Sequence, residues 1–402
     1  MKILMVNKFL FPKGGAETYM FELGRQLEAN TNEVQYFGMD NSERCVSNAL
    51  GLYADEIDYG SASFFKKLIS PLKTVYSKEA EKKLMAVIDD FKPDVVHLNN
   101  INFQLTPSVI YAAKKKNVPV VQTVHDVQIA CPNHRMYIEE REQVCTQCLK
   151  NGYKSCIKNR CVHASVLQSA VAAAESIYYH KKNTYNLVDR YICPSAFIAE
   201  QIKKGGVEEK RIRVLHNYSN EFTVPDKTQE KEKYIVYFGR ISIEKGLKLL
   251  FDAMAELPEV KLIVAGRGPL EDELKARGLG NVKFAGFKSG DELYSLIAGA
   301  AASVYPSQWY ENCPMSVIES IKAGTPVITS DIGGTKELIE NGKNGFIFET
   351  DNKASLKAAI ERIYNNIELN EEMKAYCLSH QVTDTLEEYT EKTEKIYREL
   401  IK

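Results

Sequence analysis

The 402-residue chain has no excess of charge of either sign and no long hydrophobic run. Its 52 Lys and Arg residues against 53 Asp and Glu give a formal net charge of −1. That balance disfavours a nucleic-acid binder built on overall positive charge, although it does not exclude a local basic patch. The longest uncharged, largely apolar run, Leu293–Tyr305, contains Ser and Gly. It falls short of the roughly 20 residues that a membrane-spanning helix needs, so no spanning segment is expected.

A signal peptide is not expected from the first residues of the sequence either. Its first apolar stretch, Ile3–Val6, ends at Asn7 and Lys8, whereas a signal peptide needs an apolar run of about 7–15 residues. We therefore expect a buried first strand and a cytoplasmic protein, whose nine cysteines are thiols or metal ligands rather than disulfides. Hydrophobic residues make up 44% of the chain and charged residues 26%, which is typical of a globular protein, and the length suggests two domains.

Short apolar runs alternate with longer stretches of helical periodicity, which predicts βαβ units and parallel sheets. The strands predicted in the first half are Ile3–Val6, Val34–Phe37, Val95–Leu98, Val118–Val124, Tyr191–Cys193 and Ile212–Leu215. Those in the second half are Tyr234–Phe238, Leu262–Ala265, Val282–Phe284, Ala302–Tyr305, Val327–Thr329 and Phe346–Phe348. The pattern predicts an α/β protein with two doubly wound domains in tandem.

A polar, charged segment with one proline, Asn217–Lys233, separates the two series and is typical of an interdomain linker. We predict an N-terminal domain over 1–217, a C-terminal domain over 218–385, and a helix at about 386–402 that packs back on the first domain. Ligands of such sheets bind beyond the carboxyl ends of the strands, so the site is expected in a cleft between the domains.

Two cations follow the first strand of the second half. Arg240 and Lys245 stand five positions apart, a spacing that can hold two adjacent phosphoryl groups, although a helix start with solvated charges would look the same. The next strand ends in Ala265-Gly266-Arg267-Gly268-Pro269. Its glycines permit a close backbone approach to a ligand, or simply make a turn.

Two carboxylates, Glu311 and Glu319, stand eight positions apart around a predicted helix start. Pro314 opens this helix, where its missing N–H is not needed. Carboxylate oxygens accept hydrogen bonds from sugar or ribose hydroxyls. Asn312 and Cys313 supply backbone N–H groups near the helix N-terminus, where polar or anionic oxygens are favoured.

In the first half, polar and glycine residues follow three of the predicted strands. Gly14 and Gly15 leave their backbone N–H groups accessible to an oxyanion, although a glycine pair is weak evidence and is not a G-x-G-x-x-G fingerprint. His125 and Asp126 follow another strand, where a purely structural histidine is the alternative. Asn99 and Asn100 end a third strand.

The second-half motifs, read together, resemble those of one enzyme family. Glu311 to Glu319 forms the E-x7-E pattern of retaining glycosyltransferases, and the run Ala323–Ile328 is similar to that of family 4, which has the GT-B fold. Asp331–Glu337 and Asn344–Phe346 also resemble that family. The resemblance covers nearly the whole chain and implies two Rossmann-like doubly wound parallel-sheet domains facing a central cleft.

The resemblance also implies roles for individual residues. Arg240 and Lys245 would bind the diphosphate of a nucleotide-sugar donor, and Glu319 would bind its ribose. Glu311 and His125 would contact the transferred sugar. We assign Asn99, Asn100 and Asp126 to the acceptor side. The implied donor-binding set is Gly14, Gly15, Gly239, Gly266, Arg267, Gly286, Phe287, Asn312, Cys313, Pro314 and Glu319, with Gly286 and Phe287 framing the base.

The expected reaction retains the configuration of the transferred sugar, through double displacement or a front-face reaction. Arg240, Lys245 and the amides of Gly14 and Gly15 would stabilise the departing diphosphate, and a donor phosphate oxygen would deprotonate the acceptor hydroxyl. No metal is expected at the diphosphate, and the sequence contains no Asp-x-Asp. The acceptor would be a glycan or lipid-linked glycan of cell-surface polysaccharide synthesis.

Cys145, Cys148, Cys156 and Cys161 have a spacing compatible with a structural zinc, with a loop of reduced thiols as the alternative. The segment Ser63–Lys83 is basic and amphipathic. Such a stretch suits peripheral contact with the inner face of the plasma membrane, or a surface helix packed on its own domain.

Three other functions stay open on the sequence alone. A nucleotide-sugar epimerase or a phosphorylase could share the fold, although Arg240, Lys245 and the paired carboxylates favour transfer. A non-catalytic zinc-containing binding module would make the strand-end residues dispensable. A nicotinamide oxidoreductase has the least support.

Overall fold

The computed structural model describes residues 1–56, 75–219 and 233–401. Within them the chain forms two compact units. Unit 1 comprises Met1–Met136, Cys145–Leu215 and Leu386–Lys402, and unit 2 comprises Tyr137–Val144 and His216–Thr385.

Unit 1 is built on a six-stranded parallel sheet in the order β2-β1-β3-β4-β7-β8. Its strands are β1 (Lys2–Val6), β2 (Glu33–Phe37), β3 (Val95–Leu98), β4 (Val120–Thr123), β7 (Arg190–Cys193) and β8 (Ile212–Val214). Its α-helices are α1 (Gly15–Ala29), α2 (Lys78–Phe91), α3 (Ser108–Lys115), α4 (Gln147–Asn151), α5 (Lys154–Lys158), α6 (Val166–Lys181), α7 (Ala196–Lys204) and α14 (Leu386–Arg398).

The central strands of this sheet are buried along their whole length, as in β3 and β4, which suits a parallel sheet covered by helices on both faces. The C-terminal helix α14 packs into the same core. The Tyr389 hydroxyl lies 2.8 Å from that of Tyr19 on α1. The Tyr397 hydroxyl lies 2.5 Å from Nδ1 of the buried His97 on β3. The last helix is thus part of unit 1.

Unit 2 is built on a second six-stranded parallel sheet, in the order β11-β10-β9-β12-β13-β14. Its strands are β9 (Ile235–Phe238), β10 (Leu262–Ala265), β11 (Val282–Gly286), β12 (Ala302–Tyr305), β13 (Val327–Ser330) and β14 (Gly345–Phe348). Its α-helices are α8 (Leu247–Met254), α9 (Glu271–Lys275), α10 (Gly290–Ala298), α11 (Met315–Lys322), α12 (Lys353–Tyr364) and α13 (Ile367–Ser379).

A short antiparallel hairpin also belongs to unit 2, although it lies inside the sequence range predicted for the N-terminal domain. It pairs β5 (Tyr137–Ile138) with β6 (Gln143–Val144). Glu142 in its turn lies 3.5 Å from the Lys248 ammonium on α8. Strands of two residues leave no hydrophobic periodicity, so the sequence does not reveal them.

The predicted α/β fold class with two parallel-sheet domains is confirmed, and each of the twelve predicted strands corresponds to a strand of one of these sheets. Two other predicted segments lie largely outside the described residues. They are the linker Asn217–Lys233, of which residues 220–232 are not described, and the basic segment Ser63–Lys83, of which residues 63–74 are not described. Among the described residues, no helix combines the length and the apolar character needed to cross a bilayer.

One buried carboxyl group in unit 1, that of Glu175, was not singled out from the sequence. Glu175 on α6 is 2% exposed and accepts a 3.3 Å hydrogen bond from the Gln128 side chain. Burial, reinforced by the nearby Asp126, raises the pKa of Glu175 to about 8, so this carboxyl keeps its proton at neutral pH.

A proton on Glu175 makes the stability of unit 1 depend on pH. The pKa of the Glu175 carboxyl is about 4.5 in the unfolded chain and about 8 in the folded chain. The contribution of Glu175 to the free energy of unfolding is therefore complete below pH 4.5 and is lost as the pH rises through about 8. We expect Glu175→Gln to flatten the decline of unfolding free energy over this interval, as measured by urea unfolding at several pH values. The exposed Glu200→Gln on α7 is the control and should keep the wild-type slope. Equal slopes for wild type and Glu175→Gln would contradict the assignment.

Candidate functional site

In unit 2 the chain changes direction across the sheet between β9 and β12. From β9 it moves outward through β10 and β11, then returns to place β12 on the other side of β9. Ligands of doubly wound sheets bind outside the carboxyl ends of the strands at such a point. The loops after β9 and β12 carry Lys245 and Glu311, so the topology brings these two sequence-predicted residues together.

The two loops approach so closely that one contact leaves no room for a side chain. Gly246, at φ +70°, faces the loop after β12, and a Cβ placed there would stand 1.8 Å from the Pro306 carbonyl oxygen. The Gln308 amide donates a 2.9 Å hydrogen bond to the Glu244 carbonyl. Backbone contact therefore fixes the spacing of the loops before any side chain acts.

Lys245 and Glu311 form an ion pair at this point. The Lys245 Nζ lies 2.6 Å from Glu311 Oε1, and the Ser307 hydroxyl donates to the same oxygen at 2.8 Å. Lys245 also lies over the Trp309 ring, 5.4 Å from its centroid. Ser307 was not among the residues predicted from the sequence, although it stands four positions before Glu311, close enough for a side-chain hydrogen bond within one turn.

The charge of Glu311 depends on this pair. Glu311 is 8% exposed, and burial alone would raise its pKa, but the Lys245 charge and the hydrogen bonds outweigh burial and hold the pKa below its ordinary value. The site therefore presents a fixed carboxylate and a partly exposed ammonium side by side. Such a pair can accept hydrogen bonds from hydroxyls and attract an anion.

Arg240 and Arg267 are exposed, and neither forms an ion pair within the described ranges. Arg240 follows Gly239, whose φ of +139° suits glycine. The Arg267 guanidinium lies 5.9 Å from the centroid of the exposed Phe287 ring, which follows Gly286 at the end of β11. These cations, and the apolar Phe287 ring, are accessible at the same sheet edge.

The loop after β12 leads into helix α11. Pro314 is the N-cap residue, one position before the first helical residue, Met315. Cys313 is buried in the core, and its carbonyl accepts a 2.7 Å hydrogen bond from the Asn217 side chain. Asn312 and Glu319 are partly exposed, Glu319 in the second turn of α11.

Unit 1 has its own strand-end residues. Gly14 is the N-cap residue of α1, and no side chain there accepts a hydrogen bond from the first amides of the helix. Gly14 and Gly15 are both exposed. The N-terminal amides of α1 are therefore accessible, as the sequence analysis expected of an oxyanion contact. His125 Nε2 lies 2.9 Å from Asn99 Oδ1, because β3 and β4 are neighbouring strands.

A second group at this edge includes two residues that sequence reasoning missed. Lys8 donates to the Asn102 side-chain oxygen, and Asn102 in turn donates to Asp126. The ring of His134 stacks on Phe103 at 4.4 Å. Lys8 and Asn102 follow β1 and β3, so the rule that parallel strands end at one edge could have found them.

The cysteines predicted as a zinc site do not assemble one here. Within residues 1–56, 75–219 and 233–401, no group of three or more His, Cys, Asp or Glu side chains is placed to hold a metal ion. Cys156 is buried, and a hydrogen bond with Cys161, together with burial, raises its pKa well above the ordinary value. Among the described residues, the candidate ligands Cys145, Cys148, Cys156 and Cys161 all keep their thiols and form no disulfide.

The backbone contact between the loops after β9 and β10 gives a direct test of the site's construction. Gly266 has a φ of +155°, and a Cβ there would stand 1.9 Å from the Gly239 carbonyl oxygen. We expect Gly266→Ala to lower the free energy of unfolding by at least about 2 kcal/mol in denaturant titrations. Gly280→Ala, where a Cβ meets nothing within 4 Å, is the matched control. A wild-type midpoint for Gly266→Ala would show that this backbone contact is not required.

Comparison with known protein families supports the resemblance seen in the sequence. The family model described as Glycosyltransferase Family 4 matches residues 13–218. The model described as Glycosyl transferases group 1 matches residues 220–378. The two matches follow one another along the chain and together cover most of both units.

Individual relatives agree with this result. An uncharacterized glycosyltransferase of Methanocaldococcus jannaschii is 28% identical over 326 residues, 78% of this chain and 76% of that protein. The alpha-D-kanosaminyltransferase of Streptomyces kanamyceticus is 29% identical over 188 residues, which is 44% of this chain and 46% of the relative.

Solved structures show the same fold. Anabaena Alr3699/HepE, solved in complex with UDP, has a TM-score of 0.68 at 19% identity, with 99% of this chain and 100% of that chain covered. The sucrose-phosphate synthase of Thermosynechococcus elongatus has a TM-score of 0.71 at 17% identity, with 99% and 98% covered. The family matches, the two parallel sheets and these structures together show that the chain belongs to glycosyltransferase family 4 and is a glycosyltransferase of the GT-B type.

Proposed function

We propose that the protein is a retaining glycosyltransferase that moves a hexosyl or other sugar from a nucleotide-diphosphate sugar to a glycan or lipid-linked glycan in cell-surface polysaccharide synthesis. The observation that carries the proposal is the Lys245–Glu311 pair at the switch point of unit 2. A family-4 glycosyltransferase needs an anion-binding cation and a hydroxyl-binding carboxylate, and this pair offers both. The Anabaena protein has also been solved in complex with UDP-glucose, which makes UDP-sugars the first donors to test.

Arg240 and Lys245 are proposed to hold the donor diphosphate. Arg240 is exposed, so its guanidinium can bind two phosphate oxygens at once. Lys245 is 24% exposed and lies 2.6 Å from Glu311, from where its ammonium can neutralise the departing diphosphate. No described ion pair holds Arg240 away from such a ligand.

The other donor contacts are proposed from unit 2. Glu319 on α11 would accept hydrogen bonds from the ribose hydroxyls, and Glu311 would accept them from the hydroxyls of the transferred sugar. The backbone N–H groups of Asn312 and Cys313 would donate to oxygens of the same sugar. The exposed ring of Phe287, beside Gly286, offers an apolar face for the base, with Arg267 next to it.

Unit 1 is proposed to contribute to the same reaction. The accessible amides of Gly14 and Gly15 would donate hydrogen bonds to the diphosphate. His125 would contact the transferred sugar, and Asn99, Asn100 and Asp126 would serve the acceptor side. A membrane contact through Ser63–Lys83 stays a prediction, because much of that segment is outside the described residues.

A front-face reaction fits these side chains better than double displacement. Glu311, the buried carboxylate at the switch point, is already bonded to Lys245 and Ser307, which reduces its strength as a nucleophile. The chain's own contribution is then to bind and neutralise the diphosphate as the sugar departs. The acceptor hydroxyl would pass its proton to a phosphate oxygen of the donor, so no protein base is required.

We expect Arg240→Ala, Lys245→Ala and Glu319→Ala each to reduce the transfer rate by about 10²-fold or more, because each removes a contact to the donor. The measurement is release of nucleoside diphosphate, with a thermal melt to confirm folding. Lys248→Ala is the control, since this exposed cation on α8 pairs with Glu142 and Glu273 and should leave the rate unchanged. Wild-type turnover in Lys245→Ala or Glu319→Ala would reject the donor assignment.

A screen of nucleotide-diphosphate sugars by thermal stabilisation identifies the donor, because a ligand that binds the folded state raises its melting temperature. The expected ligand stabilises the wild type and not Arg240→Ala. Turnover that depends on inorganic phosphate would indicate phosphorolysis instead. Interconversion of nucleotide sugars without an acceptor would indicate an epimerase.

A further inference from the structure

The side chain of Asn99 is fixed in unit 1 by its place at the sheet edge. β3 and β4 are parallel neighbours, with Leu98 opposite Gln122, so the residues that follow them leave the sheet at the same edge. The Asn99 amide donates a 2.8 Å hydrogen bond to the Val6 carbonyl, and the residue is 2% exposed. Its side-chain oxygen Oδ1 lies 2.9 Å from His125 Nε2.

A second contact holds the His125 ring from another direction. The Tyr19 ring meets it edge to face, with centroids 4.9 Å apart and an interplanar angle of 71°. Tyr19 is itself fixed, because its hydroxyl lies 3.0 Å from Thr123 Oγ1 and 2.8 Å from the Tyr389 hydroxyl. Asn99 and Tyr19 therefore restrict both the position and the rotation of the imidazole.

Burial leaves the His125 ring neutral, and its titratable neighbours His97 and Tyr19 are neutral as well. Burial lowers the pKa of His125 to about 3, and it does the same for the neighbouring His97. Burial also raises the pKa of Tyr19 to about 12. The carboxylate of Asp126 accepts hydrogen bonds from the Gln128 amide and from Asn102. A neutral imidazole carries one proton, and its hydrogen-bond partners decide which nitrogen holds it.

We infer that Asn99 is a positioning residue, which holds His125 in the Nε2–H tautomer and so keeps Nδ1 as a hydrogen-bond acceptor for a substrate hydroxyl. A carboxamide oxygen can only accept, so the nitrogen that faces it must carry the proton. This inference rests on the proposed function for the identity of the substrate, but not for the tautomer.

A further atom of Asn99 adds to the same recognition. Its Nδ2 is buried and has no hydrogen-bond partner among the described residues. Buried polar groups are rarely left unpaired, so this donor is suited to a ligand oxygen. Nδ1 of His125 points away from the Asn99–His125 hydrogen bond, so Nδ1 and Asn99 Nδ2 would contact two different substrate oxygens. The oxygen at Nδ1 must donate a proton, so it is a neutral sugar hydroxyl rather than a phosphate or a carboxylate, and the oxygen at Nδ2 accepts one.

The tautomer can be measured without any substrate. Nitrogen-15 NMR of the full chain with labelled histidine distinguishes Nε2–H from Nδ1–H, and His125→Gln assigns its signals among the seven histidines. We expect Nε2–H in the wild type and in Asn99→Asp, and loss of this single tautomer in Asn99→Leu. Asn100→Leu, at the next position, is the control and should leave the His125 signals unchanged. An Nδ1–H tautomer in the wild type would overturn the inference, because Asn99 would then donate to the ring.

Transfer kinetics test the consequence for substrate. Asn99→Leu should lower kcat by about tenfold, the value of one hydrogen bond to a hydroxyl. Asn99→Asp should recover part of the rate at high pH and lose it on the acid side, because a carboxylate beside His125 raises its pKa and protonates Nδ1. A pH profile of Asn99→Asp that matches the wild type would contradict the role. If no sugar donor is turned over but NMR shows Nε2–H, the proposed function fails while the positioning of His125 stands.

Discussion

The close backbone approach of the loops after β9 and β12 is the constraint on which the site in unit 2 depends. The two loops are so close at Gly246 that a side chain there would clash with the other loop. This close approach brings the charged groups of Lys245 and Glu311 into contact. The buried Glu311 requires this partner, because a buried carboxylate without a compensating charge is strongly unfavourable. One ion pair thus stabilises the loops and also prepares a cation for a ligand.

A bound diphosphate would change the balance of that pair. Lys245 would then face two anions, the ligand and Glu311, and the carboxylate would be freer to accept hydrogen bonds from a sugar. Because Glu311 keeps its hydrogen bond from Ser307, it would not lose all of its stabilisation. On the proposed function, the arrangement would couple the binding of the anionic part of a donor to the binding of its hydroxyl-rich part.

Much of the fold was predictable from the sequence, because four-residue apolar runs flanked by Gly, Pro, Asn or Asp mark buried parallel strands. The residues at the strand ends could be named for the same reason. The hairpin Tyr137–Val144 could not, since its strands are too short to show a period. The link between Lys8 and Asn102 joins positions 94 apart, so it follows only from the strand order. Of the two alternatives for the cysteine cluster, structural zinc gains no support from the described residues, in which no three potential ligands are placed to hold a metal ion; spacing along the chain does not fix where the sulfurs point.

The two units bring different chemistry to their strand ends, and the C-terminal helix explains part of the difference. In unit 1 two groups packed next to His125 are neutral: His97 lies between Thr123 and Tyr397, and Tyr19 between Thr123 and Tyr389. Both of these tyrosine partners belong to α14, so the last helix of the chain fixes the side chains on which His125 rests. On the proposed function, the neutral imidazole of His125 would recognise a hydroxyl through hydrogen-bond direction, whereas the exposed cations and the ion pair of unit 2 would recognise charge. The difference follows burial: Tyr389 and Tyr397 of α14 are fully buried beneath the groups that support His125, whereas Arg240 is exposed and Lys245 partly exposed.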